Sequence, residues 1–104
     1  MKRHAFRMQL KPGMAAEYER RHAEIWPELA AALQAAGIRD YSIFLDEATN
    51  TLFAIQHRTA DHTVDGLREH PVMRRWWDFM APLMEVHADH APVEWPLREV
   101  FHLD

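Results

Sequence analysis

Cysteine is absent from this chain of 104 residues, and glycine occurs only three times. The first absence excludes a disulfide framework and any thiolate nucleophile or metal ligand. The second excludes a glycine-rich phosphate cradle, so no nucleotide cofactor is expected. A Gly-x-Ser-x-Gly elbow is missing too. No apolar run is long enough to span a bilayer. The basic start around Lys2 and Arg3 leads into no apolar h-region, so we expect neither a signal peptide nor a membrane partner. With no cysteine, a cytoplasmic protein is the expectation. Basic residues number 12 against 16 acidic ones. An acidic chain lacks the electrostatic footprint of a nucleic-acid binder. The pairs Arg20-Arg21 and Arg74-Arg75 read as solvated helix edges.

Histidine is plentiful, with eight in the chain, but not in a ligand pattern. His87 and His90 stand three apart, and His57 and His62 are scattered. No His-x-x-x-His pair with a nearby acid occurs, so the expectation is no metal and no organic cofactor.

Hydrophobic residues make up 48% of the chain, which excludes a disordered one. The length fits one domain over residues 1–104. Residues 3–10 alternate, with Phe6, Met8 and Leu10 on one side of a strand. Pro12-Gly13 breaks the chain. A helix is expected from Met14 to Ala36, with Gly37 as its C-cap and Pro27 kinking it or dividing it in two. Strands over 39–46 and 51–58 form a hairpin around Ala48-Thr49-Asn50. A weak segment runs from Asp61 to Glu69. Pro71 opens a helix to about Glu85, carrying Met73, Trp76, Trp77 and Met80. Residues 86–92 are a loop and 93–103 a last strand.

The order β-α-β-β-α-β is that of an α+β, ferredoxin-like fold, an antiparallel sheet with its helices on one face. Such a sheet has a second face with no helix on it. Here the strands carry large apolar groups on both sides, with Tyr41, Ile43 and Leu45 opposite Phe44 and with Phe53 and Ile55 opposite Leu52 and Ala54, and an apolar face left in water is a sticky patch. A second copy packed sheet to sheet would cover it, so a homodimer is expected.

Tyr18 and His22 stand one helical turn apart, in line with Met14, Ile25, Leu29 and Leu33. Polar groups buried in such a stripe need partners. A histidine there is commonly a satisfied structural residue. A phenol one turn away strengthens the functional reading, because imidazole donates or accepts a proton near neutrality. Trp76 and Trp77 are neighbours on a helix and diverge by about 100°. One can fill the core while the other lines a pocket, where an indole face suits the apolar side of a sugar. They can equally cover a small core and a dimer seam. Tyr41 begins the strand after the first helix, as a binding group or as an ordinary strand aromatic.

These blocks carry a resemblance. Tyr18-Glu19-Arg20-Arg21-His22 with Ile25-Trp26-Pro27-Glu28-Leu29 resembles the helix signature of the L-rhamnose mutarotases. Asp40-Tyr41-Ser42-Ile43-Phe44-Leu45-Asp46, Arg75-Trp76-Trp77 and Leu97-Arg98-Glu99-Val100-Phe101 match that family as well. The similarity covers nearly the whole chain. It implies a ferredoxin-like fold that dimerises through its sheets into an α/β barrel. It also implies interconversion of the α and β anomers of L-rhamnose, in rhamnose catabolism, without a metal or cofactor. His22 would be the proton donor, and Tyr18, Tyr41, Trp76 and Trp77 would bind the sugar. Rival expectations are a cofactor-free monooxygenase or haem-degrading enzyme on the same dimeric fold, and a non-catalytic sugar-binding module.

Overall fold

Strict alternation builds the sheet. In the computed structural model, which describes residues 1–104, β1 (Lys2–Gln9) turns Phe6 and Met8 to one face, each only 4% exposed. Two helices follow, α1 (Ala15–Ala23) and α2 (Pro27–Ala35), then β2 (Ile38–Asp46) and β3 (Thr51–Arg58). A 3-10 turn over Val64–Glu69 leads into α3 (Pro71–Met80), another covers Ala81–Leu83, and β4 (Trp95–Leu97) closes the order. The strands lie β2-β3-β1-β4, with every neighbouring pair antiparallel. This is the ferredoxin-like arrangement.

Proline and glycine punctuate the helices as their chemistry requires. Pro27 sits at the first turn of α2, where its missing N–H costs nothing, and the expected long helix is divided there. Gly37, at φ +100°, turns the chain out of α2. Its carbonyl accepts from the Thr59 N–H at 2.9 Å, and the carbonyl of Ala36 accepts from the Thr63 N–H at 2.8 Å. The end of α2 is thereby tied to the end of β3.

The core lies between the helices and one face of the sheet. Phe6, Met8, Leu10, Leu29, Leu52 and Ala54 are all at most 4% exposed, and Val72, Trp76 and Met80 pack on them from α3. The opposite face carries Phe44, 60% exposed, and Ile55, 37% exposed. There the Arg7 guanidinium lies over the Trp95 ring, 4.3 Å from its centroid.

Two elements are shorter than the sequence implies. The α3 helix stops at Met80 rather than near Glu85, because Pro82 cannot continue the hydrogen-bond ladder. Met84 is extended instead and bridges to Leu10. The last strand covers only Trp95–Leu97 rather than 93–103. Pro96 lacks an N–H for the ladder, and Val100, Phe101 and Leu103 project into solvent. Glu99 is held to β1 by an ion pair with Arg3 at 2.6 Å.

One feature of β2 was not visible in its pattern. Arg39 pairs with His57 and Ser42 with Ile55. Two residues, Asp40 and Tyr41, thus stand opposite the single residue Gln56, which is a β-bulge. Asp40 adopts φ +47° to make it, a strained conformation for a residue with a side chain.

Candidate active site

A cavity of about 1110 Å³ opens between the helices and the sheet. Its walls are mainly apolar, and Tyr18, His22, Tyr41, Trp76 and Trp77 all line it. The structure thus brings together, on one cavity, every residue singled out from the sequence.

Helical spacing sets the first pair. Tyr18 is buried in α1, and its ring stacks on that of His22 with centroids 4.3 Å apart. Trp76 meets the other side of His22 edge-on at 5.4 Å. Nδ1 of His22 lies 3.1 Å from the carbonyl oxygen of Tyr18. A carbonyl only accepts, so Nδ1 carries the proton and donates. The neutral imidazole then has its lone pair on Nε2, with no partner inside the chain. Burial lowers the pKa of His22 below its ordinary value, more than the bond to Tyr18 raises it. At neutral pH the ring is therefore an uncharged base with a fixed tautomer.

Burial, with a smaller contribution from Tyr41, pushes the Tyr18 phenol well above its ordinary pKa. The hydroxyl stays protonated and can donate. It makes no hydrogen bond within the chain, yet no sealed polar side-chain atom lacks a partner. The hydroxyl accordingly faces the cavity. Tyr41 comes from the sheet, placed by the bulge at Asp40. It is 38% exposed, yet crowding around its hydroxyl raises its pKa, and Glu94 adds to the effect. Both are true of a residue open to a cavity but walled by protein.

The tryptophans divide their roles less cleanly than expected. Trp76 is a core residue and Trp77 half-buried, but both reach the cavity. Trp26 and Phe79, which sequence reasoning missed, brace Trp76 at centroid distances of 5.1 and 5.7 Å. The Trp26 contact joins positions about fifty residues apart, and periodicity carries no signal of that kind, whereas Phe79 stands three residues after Trp76 on the same helix, a spacing that could have found it. Arg21 is not a solvated edge. Its side chain is only 17% exposed and pairs with Glu17 at 2.6 Å. It also donates to the Phe79 carbonyl and lies over the Phe79 ring. Arg21 therefore pins α1 to α3, and with them His22 to Trp76.

No three His, Asp or Glu side chains converge into a metal-ligand cluster. No helix is long and apolar enough to cross a membrane. The site consists of a neutral imidazole, two phenols and indole faces around a concave space. Such groups are chemically able to move a proton and to bond the hydroxyls of a small, partly apolar molecule, which is the chemistry that sugar isomerases need.

The comparisons give the family. The model of the L-rhamnose mutarotase family matches residues 3–103. An L-rhamnose mutarotase of Jannaschia sp. is 56% identical over 103 residues, covering 99% of each chain. One from Paraburkholderia phytofirmans is 59% identical over 96% of this chain and 94% of that one. The crystal structure of an L-rhamnose mutarotase from Formosa agariphila superposes with a TM-score of 0.93 at 44% identity, over the full length of both chains. This chain belongs to the L-rhamnose mutarotase family.

Proposed function

We propose that this protein interconverts the α and β anomers of L-rhamnose, with His22 as the group that moves the proton. The observation that carries the reading is the fixed tautomer of His22. Its Nδ1–H is held by Tyr18 O, its Nε2 has no partner in the chain, and the residue lines the cavity in contact with the rings of Tyr18 and Trp76.

Mutarotation needs a proton removed from the anomeric hydroxyl and one delivered to the ring oxygen. Both oxygens are bonded to the same carbon, so one nitrogen can serve them in turn. Nε2 of neutral His22 takes the proton from the anomeric hydroxyl. The bond between the anomeric carbon and the ring oxygen breaks, and the imidazolium returns the proton to that ring oxygen. The open aldehyde rotates about its bond to the next carbon and closes from the other side, with the proton moving in reverse. His22 thus acts as proton donor in the ring-opening step, using the proton it has just taken, and no net proton is consumed. Positioned transfer of this kind typically gives about 10²–10⁴-fold. Tyr18 and Tyr41 donate to sugar oxygens, and Trp76 and Trp77 hold the apolar side of the ring.

The working form is a homodimer. The exposed Phe44, Ile55 and Leu97 lie on the sheet face without helices and support a sheet-to-sheet contact. The cavity also exceeds the roughly 300–1,000 Å³ of ordinary small-ligand pockets, so a second copy beside its mouth would narrow it. The absence of cysteine fits a cytoplasmic enzyme of sugar catabolism. Saturation-transfer NMR on L-rhamnose tests the reaction directly. Exchange between anomers should speed up with the protein and return to the spontaneous rate with His22→Ala. An unchanged rate with the wild-type protein would refute the activity.

A further inference from the structure

One wall of the cavity is formed by the segment that leads into β4. Trp95 faces the bare side of the sheet, where Arg7 covers its ring. Glu94, immediately before this strand, lines the same cavity as His22 and Tyr41. Its carboxylate makes no hydrogen bond and no ion pair within the chain, although Arg58 is near enough to be felt by both Glu94 and Tyr41. Glu94 is open to the cavity, yet the protein around it raises its pKa by desolvation. A carboxylate with free lone pairs, on the wall of a mainly apolar cavity, lacks only a donor to accept from.

We propose that Glu94 is a specificity-determining residue that accepts a hydrogen bond from a sugar hydroxyl on the sheet side of the cavity, next to the position served by Tyr41. This deepens the mutarotase reading and rests on it for the identity of the sugar. The residue takes no part in the proton transfer. It tells apart sugars that differ by one hydroxyl. A site built to bond a hydroxyl rejects the analogue that lacks it far more strongly than an apolar wall does. The neighbouring charges matter too. Arg58 from β3 favours the ionised, accepting form of the carboxylate, and Arg68 and His87 act in the same direction.

The test is a cycle between residue and ligand. Binding of L-rhamnose and of its single-deoxy analogues is followed by tryptophan fluorescence, for the wild type, Glu94→Ala and Glu94→Gln. Reading binding rather than turnover separates this proposal from the activity. Failure of the wild type to speed anomer exchange would sink the mutarotase reading and leave the binding comparison valid. Loss of a hydrogen bond to a charged acceptor should weaken L-rhamnose binding by about 10- to 100-fold in Glu94→Ala. One deoxy analogue should be weakened in the wild type and lose nothing further in the variant. Glu94→Gln keeps an acceptor without the charge and should fall between. Glu94 is exposed, so the variants should show the wild-type circular dichroism and melting point. Equal affinities of wild type and Glu94→Ala for every sugar would overturn the proposal, as would additive losses for every analogue.

Discussion

The two faces of one sheet carry similar side chains with opposite environments. Toward the helices, Leu52 and Ala54 are at most 1% exposed; on the reverse, Phe44 of the neighbouring strand is 60% exposed. Strand pairing makes the contrast sharp, because Phe44 stands opposite Phe53 while Leu45 stands opposite Leu52. A single sequence pattern, apolar at consecutive positions, therefore serves two purposes. One face builds the core and the cavity. The other has no covering element within the chain, and its exposed apolar residues are what the proposed dimer would cover. Hydrophobicity by itself thus does not separate the two faces here, whereas the position of the helices does.

Breaking the cavity side at its chemistry should have the largest effect. His22→Ala removes the only imidazole that lines the cavity. We expect anomer exchange to fall by about 10²–10⁴-fold with the fold retained, measured by saturation transfer beside circular dichroism. A drop of less than threefold would take His22 out of the reaction.

Next comes the core under that cavity. Leu52→Ala should destabilise the protein by about 2–5 kcal/mol, because it empties a site 1% exposed, as read by chemical denaturation. Phe44→Ala is the matched change on the reverse face. It should alter the stability of the separated chain by no more than about 0.5 kcal/mol while loosening a sheet-to-sheet dimer in sedimentation experiments. Equal losses of chain stability in the two variants would erase the distinction between the faces.

Much of this contrast was legible in the sequence, and the exceptions have physical causes. Alternation in β1 and the turn between β2 and β3, together with Pro27, Gly37 and Pro71, announced the topology because those features act locally. Tyr18 and His22 were legible because helical spacing fixes which residues share a face. The bulge at Asp40 and Tyr41 was not, since one additional residue changes the register without changing the composition. The end of α3 was overread because Ala81, Leu83 and Met84 keep an apolar pattern past the point where Pro82 breaks the helix. The last strand was overread in the same way, since Val100, Phe101 and Leu103 look like strand residues but lie outside any sheet of this chain. The bracing of Trp76 by Trp26 was hidden because it joins α3 to the break between α1 and α2.

The smallest expected effect separates the faces by pH. His22 is the titratable group whose pKa the cavity lowers below the ordinary 6.5, mainly through burial. The unfolded chain takes up a proton near 6.5, the folded site only at lower pH. Stability should therefore be fully present above about pH 6.5 and should decline as the pH falls from there to the folded pKa, where the unfolded state binds more protons. Anomer exchange should follow a different midpoint, the folded one, because the reaction needs Nε2 unprotonated. Below it the rate should drop about tenfold per pH unit. His22→Gln should flatten the exchange profile and make the stability profile shallower, with His4, whose pKa burial also lowers, keeping its share, whereas Ile55→Ala, on the reverse face and outside the cavity lining, should leave the midpoint of the exchange profile where it is. A shift of that midpoint in Ile55→Ala would mean that the two faces communicate, with the reverse face helping to set the electrostatics of the site.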